Sequence, residues 1–350
     1  MTNRLPVASF HFPVEKIKAG YYSDAYFLRS REILNGDNRH PRVLMQIFTR
    51  EHVVVCGTDE VIALIRQCAF NPEKLIIHSL RDGDEVEPWE TIMTIEGDYA
   101  DFAHLETIYL GILARQSRIA TNVRKVVKAA NGKPVLFFPA RYDIYQTQEA
   151  DGYAAKIGGI KGFSTDANAL ASNGKGLGTI PHALIASYGG DTVAATAAFD
   201  KYVDPSIARI ALVDFDNDCV NTALAVARRL GKKLAGVRLD TSGSMVDKSL
   251  WSQIGMFKPT GVCKELVANV RRALDAEGYD YVKIIVSGGF DAERVKAFEE
   301  MGVPVDTYAV GSSFFDGNIN FTADIVQVDG KDCAKAGRRN NPNPRMELVD

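Results

Sequence analysis

The sequence predicts an α/β chain in which the C-terminal two thirds form a partial (β/α) barrel and a smaller N-terminal α+β sheet domain stands beside it. Three observations predict this. From Pro134 onward, short continuous apolar runs alternate with helical segments, the pattern of buried parallel strands and their crossover helices. Most of those runs end in a polar or glycine-rich cluster, which is where a barrel carries its ligands. Residues 43–97 instead alternate apolar with polar positions, as a half-buried sheet does. A doubly wound open sheet also alternates its elements, but it gathers its ligands at one switch point. Here Arg141, Ser164, Asp214, Asp216, Asp240 and Ser287 close successive runs, which suits a barrel.

In chain order, VLMQIFT, HVVVCG, KLIIHSL and TIMTIEG read as strands, interrupted by a helix in DEVIALIRQCA and by turns at Asp82-Gly83-Asp84 and Glu87-Pro88. A helical period then starts near His104 and carries Leu105, Ile108, Leu110, Ile112, Leu113, Ile119 and Val123 as far as Ala130-Asn131-Gly132; it links two domains. Beyond it PVLFFPAR, IPHALIAS, ARIALVDFD, KLAGVRLD, YVKIIVSGG and VDTYAVGSS read as strands. TALAVARRLG, CKELVANVRRALDAEG and DAERVKAFEEMG read as helices with glycine stops. The tail turns as a hairpin at Asp329-Gly330. The expected division is residues 1–103, with 319–350 returning to them, and residues 104–318 as the barrel.

Of 350 residues, 46% are hydrophobic, enough for a core larger than one small domain requires. The net charge of −3 gives no basic face for nucleic acid, so any phosphate must be held locally by backbone amides and a few placed cations. Five scattered cysteines without a CxxC pair suit reduced thiols, and no apolar run approaches a bilayer span; a cytoplasmic protein is expected.

Two adjacent late strands end in Ser287-Gly288-Gly289-Phe290-Asp291 and in Gly311-Ser312-Ser313. Glycines let a backbone approach a phosphate closely, and the last two loops of a barrel are its usual phosphate grip; ordinary turn glycines are the plainer alternative. Arg238 and Asp240 close another strand, and a carboxylate there can hold ribose hydroxyls, Mg²⁺ or a developing cationic sugar carbon. His182 follows a glycine-rich loop and reads either as a packed histidine or as a catalytic one. Tyr21, Tyr22, Tyr26 and Phe27, with Asp24 among them, could stack on a flat heterocycle or anchor one domain on the other.

Taken in order, SDAYF (Ser23 to Phe27), the Glu90 strand ending IEG, LETIYLGILARQSRIAT (Leu105 to Thr121), FPAR (Phe138 to Arg141), IGGIKGFST (Ile157 to Thr165), GTIPH (Gly178 to His182), VRLD (Val237 to Asp240), SGGFD (Ser287 to Asp291) and VGSS (Val310 to Ser313) resemble the nicotinate phosphoribosyltransferase family, type II phosphoribosyltransferases with a partial barrel. The resemblance implies transfer of a phosphoribosyl group from 5-phosphoribosyl-1-pyrophosphate to nicotinate in NAD biosynthesis, with Mg²⁺ on the pyrophosphate and ATP hydrolysed through a phosphohistidine. It makes His182 that histidine, places Tyr26 and Asp24 at the pyridine ring and Arg141 at its carboxylate or the phosphates, and sets Ser164 and Thr165 near nicotinate. Asp240 then faces the ribose or Mg²⁺, Gly288, Gly289, Gly311 and Ser312 form the 5′-phosphate loops, and Arg238 and Ser287 are counted among the substrate-binding residues. It also implies a homodimer with shared active sites. Many members carry paired arginines where this chain has Arg141-Tyr142, which keeps nicotinamide and quinolinate open as substrates, and the cysteine-rich tail that would hold zinc is missing. Two rivals stand beside this reading. One is an aldolase using Lys283 as a mid-strand Schiff-base lysine. The other is a non-catalytic nucleotide sensor, which has no need of His182, Asp240 and Arg141 together. The family reading requires the two glycine loops to lie side by side on the rim of a closed ring of strands, facing His182 and Asp240 across one cavity.

Overall fold

The computed structural model of the chain describes residues 4–349. Its strands are β1 (Arg42–Thr49), β2 (Val53–Val54), β3 (Ile76–Ser79), β4 (Glu85–Val86), β5 (Thr91–Asp98), β6 (Val135–Phe137), β7 (Gly162–Phe163), β8 (Arg209–Leu212), β9 (Leu234–Leu239), β10 (Lys283–Val286), β11 (Thr307–Val310), β12 (Phe321–Val328), β13 (Lys331–Asp332) and β14 (Glu347–Val349). Two compact units result, one running to Thr121 and resuming at Gly317, the other comprising Asn122–Asp316. The division at 121/122 falls inside the helix Glu106–Ala129. Among the described residues no helix is long and apolar enough to cross a membrane.

The first unit is built on an antiparallel sheet of order β13-β12-β1-β5-β3-β14. Val43, Met45 and Ile47 alternate along β1 and enter one core with Ile77 and Ile95 of the neighbouring strands. Val61, Leu64 and Ile65 of the helix Thr58–Cys68, with Tyr109 and Leu113, close that core. β12 enters this sheet from the far end of the sequence, pairing Phe321 with Thr49 and Val328 with Val43.

The second unit is a parallel sheet of order β7-β6-β11-β10-β9-β8, in which most consecutive strand residues are buried. The ring is not closed: β7 and β8 are the two ends of the sheet, so a partial barrel forms. Two further expectations are corrected. IPHALIAS is no strand; His182–Ser187 is a short helix after Pro181. A short apolar run is ambiguous between strand and helix, and Ala183, Leu184 and Ala186 with the Gly189-Gly190 stop favour the helix. The two-residue β7 occupies the sheet position beside β6 instead. Lys283 is not mid-strand but the first residue of β10, 64% exposed and paired to Asp306 at 3.0 Å, at the end of the sheet away from the loops that carry the ligands. The mid-strand, barrel-facing position that the aldolase alternative requires is thus not the one Lys283 occupies.

Phe137 anchors the middle of this core, fully buried, with its ring stacked on Phe314 at 5.3 Å and edge-on to Phe163 at 6.1 Å. Phe137→Ala is expected to cost about 3–5 kcal/mol, since the cavity it leaves is lined by rings that cannot collapse. Denaturant unfolding measures it; a loss under about 1 kcal/mol would contradict this packing.

Candidate active site

Parallel pairing places the C-terminal ends of β6, β7, β9, β10 and β11 on one edge, and a cavity of about 330 Å³ opens there. Arg141 reaches it from the turn Ala140–Tyr142 after β6, and Ser164 from the end of β7. Arg238 and Asp240 lie two residues apart on and just beyond β9, so they project to the same face. Gly288, Gly289 and Phe290 follow β10, and Gly311 and Ser312 follow β11. Ser313 Oγ donates to Phe290 O at 2.9 Å and ties the two glycine loops together.

Three of these side chains form a closed set. Arg238 Nη2 donates to Asp240 Oδ2 at 2.8 Å and Arg238 Nε to Ser287 Oγ at 2.9 Å. Ser287 Oγ in turn lies 2.7 Å from Asp240 Oδ1 as donor. Each charge is thus held by the other and by a buried hydroxyl, which fixes both rotamers before any ligand arrives. Gly288 and Gly289 have φ of 85° and 71°, a conformation that glycine adopts without a steric penalty. Gly311 meets a different requirement: a Cβ there would lie 3.0 Å from Cε2 of Tyr142, whose ring forms part of the wall.

His182 stands next to this cavity rather than in its lining. Its segment is joined to the site through Thr179 Oγ1, 3.4 Å from Arg238 Nη1. Its Nε2 lies 3.1 Å from both carboxylate oxygens of Asp214, just beyond β8. The carboxylate is 6% exposed and the imidazole 45%. Asp214 therefore accepts from Nε2–H, which orients the ring and leaves the Nδ1 lone pair available. Burial pushes Asp214 above its ordinary value, against the pull of His182 and with the push of Asp240. The sequence shows Asp214 as a strand-end acid; its partner 32 residues away in the chain is visible only in the fold.

Not every expected residue joins the cavity. Thr165 caps the turn Asp166–Ala169, accepting from Asn168 N at 3.1 Å with its hydroxyl 2.9 Å from Gln148 Oε1, so that oxygen is already engaged. Asp24 and Tyr26 belong to the first unit: Asp24 Oδ2 accepts from Thr107 Oγ1 at 2.9 Å and from Tyr26 OH at 3.3 Å, and Tyr26 is well exposed at the start of the helix Ala25–Gly36. Among the described residues no group of three or more His, Cys, Asp or Glu side chains is arranged to hold a metal. A Mg²⁺ carried on a ligand's phosphates would meet Asp240, the acid that lines the cavity, and such sparse protein ligation is normal for Mg²⁺.

With this geometry established, the comparisons with known proteins are direct. Residues 24–117 match the N-terminal domain of the quinolinate phosphoribosyl transferase family. The chain is similar to the nicotinate phosphoribosyltransferase pncB1 of Mycobacterium tuberculosis, 30% identical over 287 residues that make up 78% of this chain and 58% of that protein. It is also similar to the nicotinate phosphoribosyltransferase of Bacillus subtilis, 26% identical over 67% of this chain and 44% of that one, so it spans about half the length of these relatives. Among solved structures it resembles the nicotinate-nucleotide pyrophosphorylase of Pyrococcus furiosus, with 35% identity, a TM-score of 0.82, and 97% and 85% of the two chains covered. Human nicotinic acid phosphoribosyltransferase shares the fold at 16% identity and a TM-score of 0.67, over 89% and 76% of the chains.

One residue that sequence reading gives no role is Glu106, beside the Asp24 and Tyr26 pair. Burial, then Asp324 and Asp24, push its carboxyl up to about 7. Folding thus favours the protonated form: the stability this lends is whole below the ordinary value of 4.5 and is lost as pH rises through 7. Glu106→Gln is expected to gain stability relative to the parent between about pH 5 and 8, by at most roughly 3 kcal/mol. Denaturant unfolding across that range checks it, and a difference independent of pH would refute it.

Proposed function

The chain belongs to the nicotinate phosphoribosyltransferase family, the type II phosphoribosyltransferases, and from that premise we propose that it joins nicotinate to 5-phosphoribosyl-1-pyrophosphate, yielding nicotinate mononucleotide and pyrophosphate in NAD biosynthesis. The observation that carries the reading is the convergence, in a single cavity, of the two glycine loops, the Arg238-Asp240-Ser287 set and Arg141. In the reaction the pyridine nitrogen supplies the electron pair for a new bond to C1 of the ribose, and the bond from C1 to the pyrophosphate oxygen breaks with its pair. The reacting carbon passes through an oxocarbenium-like state, so positioning and a nearby carboxylate matter more than a protein nucleophile. Asp240 is held in place to face that carbon, and the glycine amides to receive the 5′-phosphate. Mg²⁺ arriving on the sugar pyrophosphate would be met by Asp240 and would supply positive charge to the departing group.

The cations in the cavity favour nicotinate as the base. Arg238 is neutralised by Asp240, whereas Arg141 has only the Tyr142 hydroxyl at 3.4 Å and no carboxylate partner among the described residues. One free guanidinium matches one carboxylate. Quinolinate brings two and nicotinamide none, and each leaves a mismatch in charge. The relatives include both nicotinate phosphoribosyltransferases and nicotinate-nucleotide pyrophosphorylases, so the choice of base rests on this charge count.

ATP coupling through His182 is part of the proposal. Asp214 keeps the proton on Nε2, and the Nδ1 lone pair forms a bond to the γ-phosphorus of ATP as its bond to the β-phosphate oxygen breaks and ADP leaves; water later cleaves the N–P bond to give inorganic phosphate. A homodimer in which Tyr26 and Asp24 of one copy serve the other's base, working in the cytoplasm, completes the reading; the five free cysteines, three of them buried, suit that compartment.

Release of pyrophosphate is measured with nicotinate, nicotinamide and quinolinate, each with and without ATP. Nicotinate is expected to be the best substrate, with ATP raising its rate. Fastest release with quinolinate and no response to ATP would overturn both the choice of base and the coupling. His182→Ala is expected to lose the ATP stimulation while keeping slow transfer, and persistence of the full stimulation would remove His182 from that role.

A further inference from the structure

We infer that Arg294 is a positioning residue for the loop after β10, fixing its amides toward the cavity and lending its uncompensated charge to the sugar phosphate; this rests on the phosphoribosyl-transfer reading. Arg294 lies in the first turn of the helix Ala292–Glu300, and its guanidinium folds back over the loop that precedes the helix. Nη1 donates to Gly288 O at 3.0 Å and to Gly289 O at 2.9 Å, and Nη2 to Val262 O at 2.8 Å. The guanidinium also sits 4.3 Å from the centre of the Phe290 ring.

In a trans peptide the C=O and N–H point in opposite directions. Holding the carbonyls of Gly288 and Gly289 on Arg294 therefore turns the N–H groups of Gly289 and Phe290 away from it. Both residues line the cavity, and among the described residues nothing accepts a hydrogen bond from the amides of Gly288, Gly289 or Phe290. Two successive glycines at positive φ have many other conformations open to them, so the loop needs an external fastener to keep one.

The charge of Arg294 points the same way. Among the described residues no carboxylate forms a salt bridge with it: Asp291, whose charge favours the ionised guanidinium from a distance, spends Oδ1 on the Arg294 backbone N–H at 2.8 Å as the helix cap. Carbonyl oxygens share a charge but do not cancel it, and burial disfavours the ionised guanidinium. An anion received on the opposite side of the loop supplies the missing counter-charge. Arg238, the other arginine fixed in this wall, already has Asp240 and cannot do this.

Ribose 5-phosphate is the probe, titrated calorimetrically into the full-length protein and into R294M, R294K and the surface control K296M. R294M is expected to bind it ~10- to 100-fold more weakly, and R294K, which keeps the charge but loses the fork, ~3- to 10-fold more weakly, with K296M unchanged. KM for the sugar pyrophosphate should rise in step while KM for the pyridine base stays within about 2-fold, a split that a general packing defect would not produce. Unchanged affinity in R294M, or equal losses for sugar phosphate and base, would overturn the inference and leave the phosphoribosyl reading standing. Should R294M not fold, R294K decides by the same criterion. Parent protein that does not bind ribose 5-phosphate would sink the phosphoribosyl reading, and this inference with it.

Discussion

Parallel pairing is the constraint on which the site depends. Because β6, β7, β9, β10 and β11 run in the same direction, their C-terminal ends share one edge, and residues as far apart in the chain as Phe138 and Ser312 reach a common cavity. The strands themselves contribute a dry floor: Phe137, Val237, Leu239, Ile284, Val286 and Val310 are fully buried. Hydrophobic burial holds this floor together, and the polar chemistry is confined to the one or two residues that follow each strand.

Charge at that edge is distributed unevenly. Arg238 and Asp240 neutralise one another and share Ser287, so they act as a rigid polar wall. Asp214 is committed to His182. Arg141 and Arg294 have no carboxylate among the described residues, the first exposed at the mouth and the second behind the glycine loop. One unpaired guanidinium at the mouth of the cavity, a second behind its glycine loop, and the loop's unpaired amides suit a ligand with anionic groups at two separated points. A sugar phosphate joined to a pyridine carboxylate has that form.

The first unit shows the opposite design. Its antiparallel sheet includes β12 from the end of the chain, and its apolar side faces a single helix-covered core. The polar groups of interest lie away from that core: Asp24 bound by Thr107 and Tyr26, with Glu106 near them, its carboxyl pushed up to about 7 by burial and by the acids around it. Burial is the larger cause, and the charges of Asp324 and Asp24 add to it.

The sequence by itself determined the elements with clear periodicity and the residues that close strands. The runs around β1, β5, β9, β10 and β11, the helix Glu106–Ala129 and the glycine pairs are all legible, because a buried strand must be apolar and a loop that needs positive φ must be rich in glycine. Tertiary structure decided the rest. IPHALIAS is apolar enough for either element, and the fold makes His182–Ser187 a short helix. Thr165 and Lys283 look like ligands in the sequence because nothing there reveals that one caps a turn and the other begins a strand against Asp306. The pairing of His182 with Asp214, the triangle of Arg238, Asp240 and Ser287, and the grip of Arg294 on Gly288 and Gly289 depend on distance and direction. Those are properties of side chains converging in space, and a linear pattern of residue types carries neither.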